Sequence, residues 1–168
     1  MKGTTIRNLF IFLLIILTIP ICISIIEETP WYQNLPEPIE EIEPTLEELI
    51  HNDINKYRNM YGLPNLTMIP EFNNIAKEQS TRMLKRQLMY HSNAALQNLG
   101  ENVAKIPKGN WVLGCFSTLD NEGMADCATR SWMNSPGHKK NILDTQYKMT
   151  GINAQCDNEN CWITQNFR

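Results

Sequence analysis

The sequence predicts an α+β fold in which helices pack against an antiparallel sheet. Apolar residues recur at helical spacing in the first part of the folded region, whereas short extended segments dominate its end. Strands and helices do not alternate along the chain, so a parallel sheet is not expected. With 168 residues, 42% of them hydrophobic and 20% charged, the chain supports one ordinary domain with an appendage and is not disordered throughout.

The first 26 residues are typical of an export signal. Residues 9–26 hold no charged side chain; two basic residues precede them and acidic residues follow, which places the downstream chain outside the membrane. Eighteen residues are at the lower limit for spanning a bilayer, and Pro20 interrupts them. Two alternatives stay open, a signal peptide cut near Ser24 and a retained signal anchor. We therefore expect an extracellular protein, either secreted or anchored to the membrane.

Residues 27–44 form a separate segment. Four of them are prolines, and residues 27–48 carry eight glutamates and no basic residue. Proline removes backbone donors and like charges repel, so we expect an extended tether of roughly 55 Å, at about 3.1 Å per residue. The folded domain is then residues 45–168. From residue 49 onward it carries 13 basic and 10 acidic side chains without a basic stripe, so no nucleic-acid partner is expected.

Three amphipathic helices are predicted in the domain. Thr45 and Glu48 form a capping box at the start of the first helix, and Gly62 ends its apolar periodicity. The second helix begins near Pro70, with apolar residues on one side and basic residues elsewhere. The third covers roughly residues 122–134.

The predicted strands are shorter and lie mostly at the end of the chain. They are residues 99–104, 149–155 and 162–167. Between the third helix and the second strand, Pro136-Gly137 predicts a short turn. Trp132 and Trp162 are expected in the core, because large aromatic side chains in a small domain are usually buried.

Four cysteines remain when Cys22 in the export segment is set aside. In an exported protein they indicate two disulfides, for which three pairings exist. Proximity in the sequence favours Cys115 with Cys127 and Cys156 with Cys161, the second pair closing a hairpin tip. The alternative is a zinc site of four thiolates, but the spacing lacks the usual C-x2-C pairs.

Four local motifs occur in order along the domain. They are residues 51–63, Tyr90-His91-Ser92 followed by Gly100-Glu101-Asn102, residues 131–143, and residues 162–167. Together they resemble the CAP superfamily of cysteine-rich secretory proteins, antigen-5 venom allergens and pathogenesis-related class 1 proteins, in its short prokaryotic branch. The resemblance covers residues 45–168. It implies a three-layer α-β-α sandwich with a central antiparallel sheet.

The resemblance also implies a cleft lined by two histidines and two glutamates, where the histidines bind a divalent metal in some members. Its motif positions match His91, Glu101 and His138. The second glutamate is missing, because Ser135 stands at its position. The implied cleft is therefore His91, Glu101, His138 and Ser135, with His91 and His138 as the metal ligands.

Two imidazoles and one carboxylate suit Zn²⁺ and leave a position for a water molecule whose pKa the metal lowers to roughly 7. The competing interpretation is that Glu101 and one histidine form a hydrogen-bonded pair without metal. The third histidine, His51, falls on a polar helix face and is expected in solvent. Ser92 and Ser135 lie near the cleft histidines in the sequence, but no nucleophile-elbow motif surrounds either one.

Three functions follow as hypotheses. The leading one is an exported, monomeric, non-catalytic CAP domain that presents its cleft to a lipid or a cell-envelope component, with Zn²⁺ or another divalent cation as cofactor. The second is a metal-dependent hydrolase or peptidase that uses His91, His138 and Glu101. The third is a surface protein held at a distance from the membrane by its tether, with residues 9–26 in the bilayer. The fold alone does not decide among them.

Overall fold

The structure, a computed structural model of the chain, describes residues 43–94, 98–112, 114–117 and 119–168. These residues belong to one unit, Glu43–Arg168. The expected export segment, residues 1–26, and the expected tether up to residue 42 lie outside the described residues. Among the helices that the structure describes, none is both long enough and apolar enough to cross a membrane.

Helix α1, Leu46–Met60, begins at the predicted capping box. The hydroxyl of Thr45 accepts the N–H of Glu48 at 3.2 Å, and the carboxylate of Glu48 accepts the N–H of Thr45 at 2.9 Å. Both bonds satisfy donors at the helix start that have no partner within the helix. The face of α1 that enters the core carries Leu46, Ile50 and Ile54.

Two further helices lie where the sequence predicts them. Helix α2 spans Pro70–Arg86 and has proline at its first position. Helix α3 spans Asn121–Asn134, and the side chain of Asp120 accepts a backbone N–H of its first turn. A fourth helix, α4, covers Pro136–Ile142, where only a short turn is predicted. That prediction is wrong because the fixed φ of proline suits the first position of a helix as well as a turn.

Three strands form the main antiparallel sheet: β2 (Gly100–Pro107), β5 (Met149–Cys156) and β6 (Asn160–Phe167). Strand β6 lies in the middle, paired with β5 on one side and β2 on the other. The two-residue strand β1, Thr67–Met68, pairs with β5 in parallel and makes the sheet mixed. Strands β3 (Asn110–Val112) and β4 (Cys115–Ser117) form a separate antiparallel hairpin.

Helices cover both faces of the sheet. Strand β6 is buried along its whole length, and its side chains alternate between the faces. Ile163 belongs to the larger core with α1, α3 and α4, whereas Trp162 packs with Met83 of α2 and Val103 of β2. Trp132 is also buried, so both tryptophans lie in the core as expected. This arrangement confirms the α+β class and the three-layer α-β-α sandwich.

The four cysteines of the domain form two disulfides. They join Cys115 to Cys127 and Cys156 to Cys161, which confirms the pairing favoured by proximity and excludes the four-thiolate zinc site. The first disulfide connects β4 to α3. The second connects β5 to β6 next to their turn, where its cysteines are direct cross-strand partners.

A buried arginine joins α1 to the segment after α4. Arg58 is 0% exposed, and its Nε donates to the carbonyl of Pro64 at 2.8 Å. Its Nη1 donates to the carbonyls of Ile142 at 2.7 Å and Asp144 at 3.0 Å, and its Nη2 to that of Tyr147 at 3.3 Å. Burial lowers the pKa of Arg58, and the carboxylate of Asp144 opposes that shift. These bonds hold the C-terminal end of α4 against α1.

Candidate functional site

The first residues of β2 place Glu101 where three donors meet it. Its side chain is 5% exposed. One carboxylate oxygen lies 3.0 Å from Nδ1 of His91 and accepts the backbone N–H of Ser92 at 2.8 Å. The other oxygen accepts the hydroxyl of Ser92 at 2.5 Å. A carboxylate only accepts hydrogen bonds, so the proton of this pair lies on Nδ1, and Nε2 is the ring nitrogen that can act as a ligand.

Helix α4 supplies the second imidazole and is attached to the same strand. The backbone carbonyl of His138 accepts a hydrogen bond from Nδ2 of Asn102 at 3.2 Å. From α4, Nδ2 of Asn141 donates to the carbonyl of Glu101 at 3.1 Å and to Oδ1 of Asn102 at 2.9 Å. Asn141 thus satisfies the backbone carbonyl of Glu101. These amide contacts fix the distance between α4 and the edge of the sheet.

The fold brings the two predicted cleft histidines together. The ring centroids of His91 and His138 are 5.9 Å apart, with the ring planes at 47°. Burial, and to a lesser extent the charge of His91, lowers the pKa of His138 below its ordinary value of 6.5. A neutral imidazole offers a free lone pair, so the environment of His138 favours the form that binds a metal.

Ser135 lies at the junction of α3 and α4, three residues before His138. It ends α3 and precedes the first residue of α4. Ser135 and His138 line a cavity of about 240 Å³ that has a mainly apolar wall. That wall includes Val103, Ile106 and Trp132.

The donor set at the cleft is an imidazole pair. Two imidazoles that share a tetrahedral Zn²⁺ at ordinary Zn–N distances have ring centroids roughly 5 Å apart, so small side-chain rotations would let His91 and His138 fit the ion. Both oxygens of Glu101 accept hydrogen bonds, from His91 and from Ser92, so in this structure the carboxylate supports the ring of His91. Within the described ranges, no three His, Cys, Asp or Glu side chains are grouped closely enough to hold an ion. Solvent or a bound ligand would therefore complete the coordination.

His51 does not lie in solvent as the helix pattern predicts. It is half-buried, and its Nε2 lies 2.9 Å from the carbonyl of Leu66 and 3.1 Å from Nδ2 of Asn55. Asn55 also bonds both backbone groups of Leu66. The prediction fails because the loop after α1 folds back over a helix face that is polar in the sequence.

Two residues near the cleft have roles that sequence reasoning missed. Ser92 is paired with Glu101 and is not placed to act as a nucleophile beside a histidine base. Asn102 connects the strand to α4, although nothing in its motif indicates a role distinct from that of Glu101. The sequence does contain a signal for the role of Ser92, namely its position directly after His91. A serine at that position can donate to the same carboxylate that the histidine contacts.

The protein is a sandwich with helices on both faces of its sheet. Two imidazoles and a carboxylate meet at the start of the edge strand, and they form a histidine cleft. The model of the cysteine-rich secretory protein family, CAP, matches residues 51–167. The chain therefore belongs to the CAP family. A search of curated proteins found no significant match.

Solved structures with the same fold come from several sources. An outer surface protein from Borrelia burgdorferi has a TM-score of 0.53 and 15% identity, over 73% of this chain and 92% of that one. An extracellular protein containing a SCP domain from Bacillus anthracis has a TM-score of 0.54 and 23% identity, over 79% of this chain and 43% of that one. That protein is more than twice as long as its matched part. NaASP2, solved with Zn²⁺, has a TM-score of 0.56 and 12% identity, over 77% of this chain and 82% of that one. At these identities the likeness shows the fold.

Proposed function

We propose that this chain acts outside the cell as a non-catalytic CAP domain and binds its ligand at the His91–His138 pair, with Zn²⁺ as the ion that the pair fits. The observation that carries the proposal is the distance of 5.9 Å between the two rings, one of which is held by Glu101. A carboxylate that binds the far nitrogen of a ligating histidine orients the ring and makes it more basic. Glu101 stands in that relation to His91.

Several observations support a location outside the cell. The uncharged N-terminal run has the composition of an export signal. Both disulfides are of a kind that persists in oxidising compartments. The structural relative from Bacillus anthracis is described as an extracellular protein.

The cavity next to His138 suggests what kind of ligand the cleft takes. Its volume of about 240 Å³ is below the range of roughly 300–1,000 Å³ that holds a drug-sized molecule. It therefore suits one small apolar group of a ligand whose polar end meets the imidazole pair. A lipid or a cell-envelope component with a polar head and an apolar chain has this chemistry.

A hydrolase is less well supported by the same geometry. Metal-assisted hydrolysis needs a group that can take a proton from the attacking water. Glu101 is the carboxylate of the cleft, and its oxygens are already bonded to His91 and Ser92. A hydrolytic activity that a chelator abolishes and His138→Ala eliminates would nevertheless establish this second function in place of the first.

The test is calorimetric titration of the purified chain with Zn²⁺. We expect one saturable site, which His138→Ala weakens by at least about tenfold and Glu101→Gln by about 10–100-fold, the usual effect of losing an outer-shell partner. His51→Ala is the matched control, because it also removes one imidazole but leaves the pair intact. Circular dichroism shows whether each variant is folded. Equal losses in His51→Ala and His138→Ala, or no saturable binding at all, would contradict the proposal.

A further inference from the structure

The β3–β4 hairpin exposes a group of large apolar side chains. Trp111 is 70% exposed and Phe116 47%. They are cross-strand partners whose rings meet edge to face at 5.6 Å. Leu119, just after the hairpin, is 76% exposed. Single exposed apolar residues are ordinary, but such a group on one small element marks a surface that contacts something else.

This hairpin is held firmly to the domain. The disulfide between Cys115 and Cys127 fastens β4 to α3. The hydroxyl of Ser117 contacts the carbonyls of Pro107, at the end of β2, and Asn110. Because the platform is already fixed, binding through its rings would lose little conformational entropy.

The N-terminal chain joins the domain beside the same hairpin. The side chain of Asn121 donates to the carbonyl of Pro44 at 3.3 Å, and Leu119 precedes Asn121 by two positions. Leu119 in turn lies against Gly109, in the turn before β3. Pro44, near the first residue that the structure describes, therefore lies on the hairpin side of the domain.

We propose that the hairpin docks this domain on a lipid bilayer, with Trp111, Phe116 and Leu119 in the interfacial layer. Tryptophan and phenylalanine suit that layer, since their large rings gain from leaving water and the indole N–H keeps a polar contact. This inference goes beyond the proposed function and does not depend on the metal. It also holds whether or not residues 1–24 are removed.

The charge of the hairpin region indicates apolar insertion as the driving force. Residues 105–120 contain Lys105, Lys108 and Asp120, a balance of only +1. Attraction to anionic lipid grows with the number of basic residues near the surface and is screened by salt. Docking through the rings is therefore expected on neutral lipid, with little dependence on salt.

Docking in this way leaves the cleft in water. Glu101 lies at the start of β2 and Pro107 at its end. Six steps along a strand span about 20 Å, so Glu101, whose carboxylate holds His91, is about that far from the hairpin end of the strand. A ligand could reach the cleft while the domain rests on the bilayer.

The experiment uses residues 43–168, which contain the described core, the whole sheet and both disulfides. Trp132 and Trp162 are 1% and 0% exposed, so a change in tryptophan emission reports on Trp111. With phosphatidylcholine vesicles we expect a blue shift, quenching by brominated acyl chains, and little effect of salt. Trp111→Ser and Phe116→Ser should each weaken partitioning into the vesicles. Partitioning of Phe116→Ser is measured by vesicle co-sedimentation. The double variant should partition about tenfold more weakly or less well still, and tenfold is equivalent to about 1.4 kcal/mol.

Met60→Ser is the matched control, because Met60 is a large apolar side chain that is 77% exposed at the end of α1 and is not part of the hairpin. It should partition like the unmodified domain. Three results would overturn the proposal: no emission shift, binding only to phosphatidylglycerol vesicles at low salt, or a hairpin variant that changes only the sedimentation coefficient, which would make a second copy the occupant. The Zn²⁺ titration is read separately, so failure here leaves the proposed function untouched.

Discussion

Glu101 shows how much of the cleft depends on a single side chain. It accepts hydrogen bonds from His91 and from both donors of Ser92, and its backbone carbonyl accepts one from Asn141. One residue therefore joins the segment before β2, the strand itself and α4. Replacing its carboxylate would release His91, whereas His138 would keep the attachment of its helix, which runs through the backbone carbonyl of Glu101 and through Asn102.

Asp157 in the β5–β6 turn gives a prediction for acid stability. Its carboxylate accepts from Nε2 of Gln87 and from the N–H groups of Asn160 and Glu159. These bonds lower the pKa of Asp157 from 3.8 to about 2. Because the folded state holds this proton less tightly than the unfolded state, the contribution is complete above pH 3.8 and is lost as the pH falls towards 2.

We therefore expect Asp157→Asn to make the free energy of unfolding less dependent on pH between those two values. Urea unfolding followed by circular dichroism at several pH values measures this slope. Glu159→Gln is the control, because it removes the same charge from the same turn. A slope that is as steep in Asp157→Asn as in the unmodified protein would contradict the assignment.

At the scale of the element, the packing of α2 against β5 depends on a glycine. A Cβ on Gly151 would meet the backbone of Phe72 and Asn73 in the first turn of α2. Backbone atoms cannot rotate away as a side chain can, so the helix would have to move. A hydrogen bond joins α2 to β5 at the same place, because Oδ1 of Asn73 accepts the N–H of Ile152 at 3.0 Å.

Two glycine-to-alanine substitutions should therefore have opposite effects on the free energy of unfolding. Gly151→Ala should destabilise the domain by at least about 1–3 kcal/mol, the usual cost of overpacking. Gly137→Ala, in the first turn of α4 with open space around its Cβ position, should be neutral or stabilise by up to about 1 kcal/mol. Thermal and urea unfolding of the two variants provide the comparison. A tolerant Gly151→Ala would mean that α2 can shift along the sheet.

The elements that the sequence predicts well are those with local signals. The capping box at Thr45 and the proline at position 70 locate α1 and α2 to within a residue or two. Helix α4 and the β3–β4 hairpin were missed, because seven and three residues are too few for a periodicity to develop. The parallel pairing of β1 could not be foreseen either, since it depends on where the loop after α1 meets β5.

The sequence likewise predicts some features of the cleft and not others. The motifs indicate His91, Glu101 and His138, and the structure brings these three together. The carboxylate's role was not decided by the sequence, because a metal ligand and a hydrogen-bonded support for histidine have the same residue type. In the structure the contacts of the carboxylate with His91 and with both donors of Ser92 favour the supporting role.

At the scale of the whole molecule, the described domain contains its own core. The cluster between the sheet and α1, α3 and α4 runs from Leu46 to Phe167, and α2 closes the other face through Met83. Both disulfides join residues within the same unit. Each described layer therefore buries its apolar face against another layer of the unit.

Deleting residues 1–42 should leave the domain's free energy of unfolding unchanged within about 0.5 kcal/mol, the range of changes that touch no packed or bonded group. The measurement compares urea unfolding of the full chain, in detergent, with that of residues 43–168 in the same detergent. The match in Zn²⁺ titration between the two forms is the control for an intact cleft. A large loss of stability on deletion would show that the N-terminal segment packs on the domain.

The central position of β6 has a consequence for how the chain would mature during the export that we propose. Strands β2 and β5 each pair with β6 and not with each other in the described sheet. A chain that crosses the membrane N-terminus first would present Glu101 on a strand without a neighbour until residues 160–167 have followed it through. The imidazole pair would then form only after translocation has passed that strand, so the protein could not take up cytoplasmic metal on its way out.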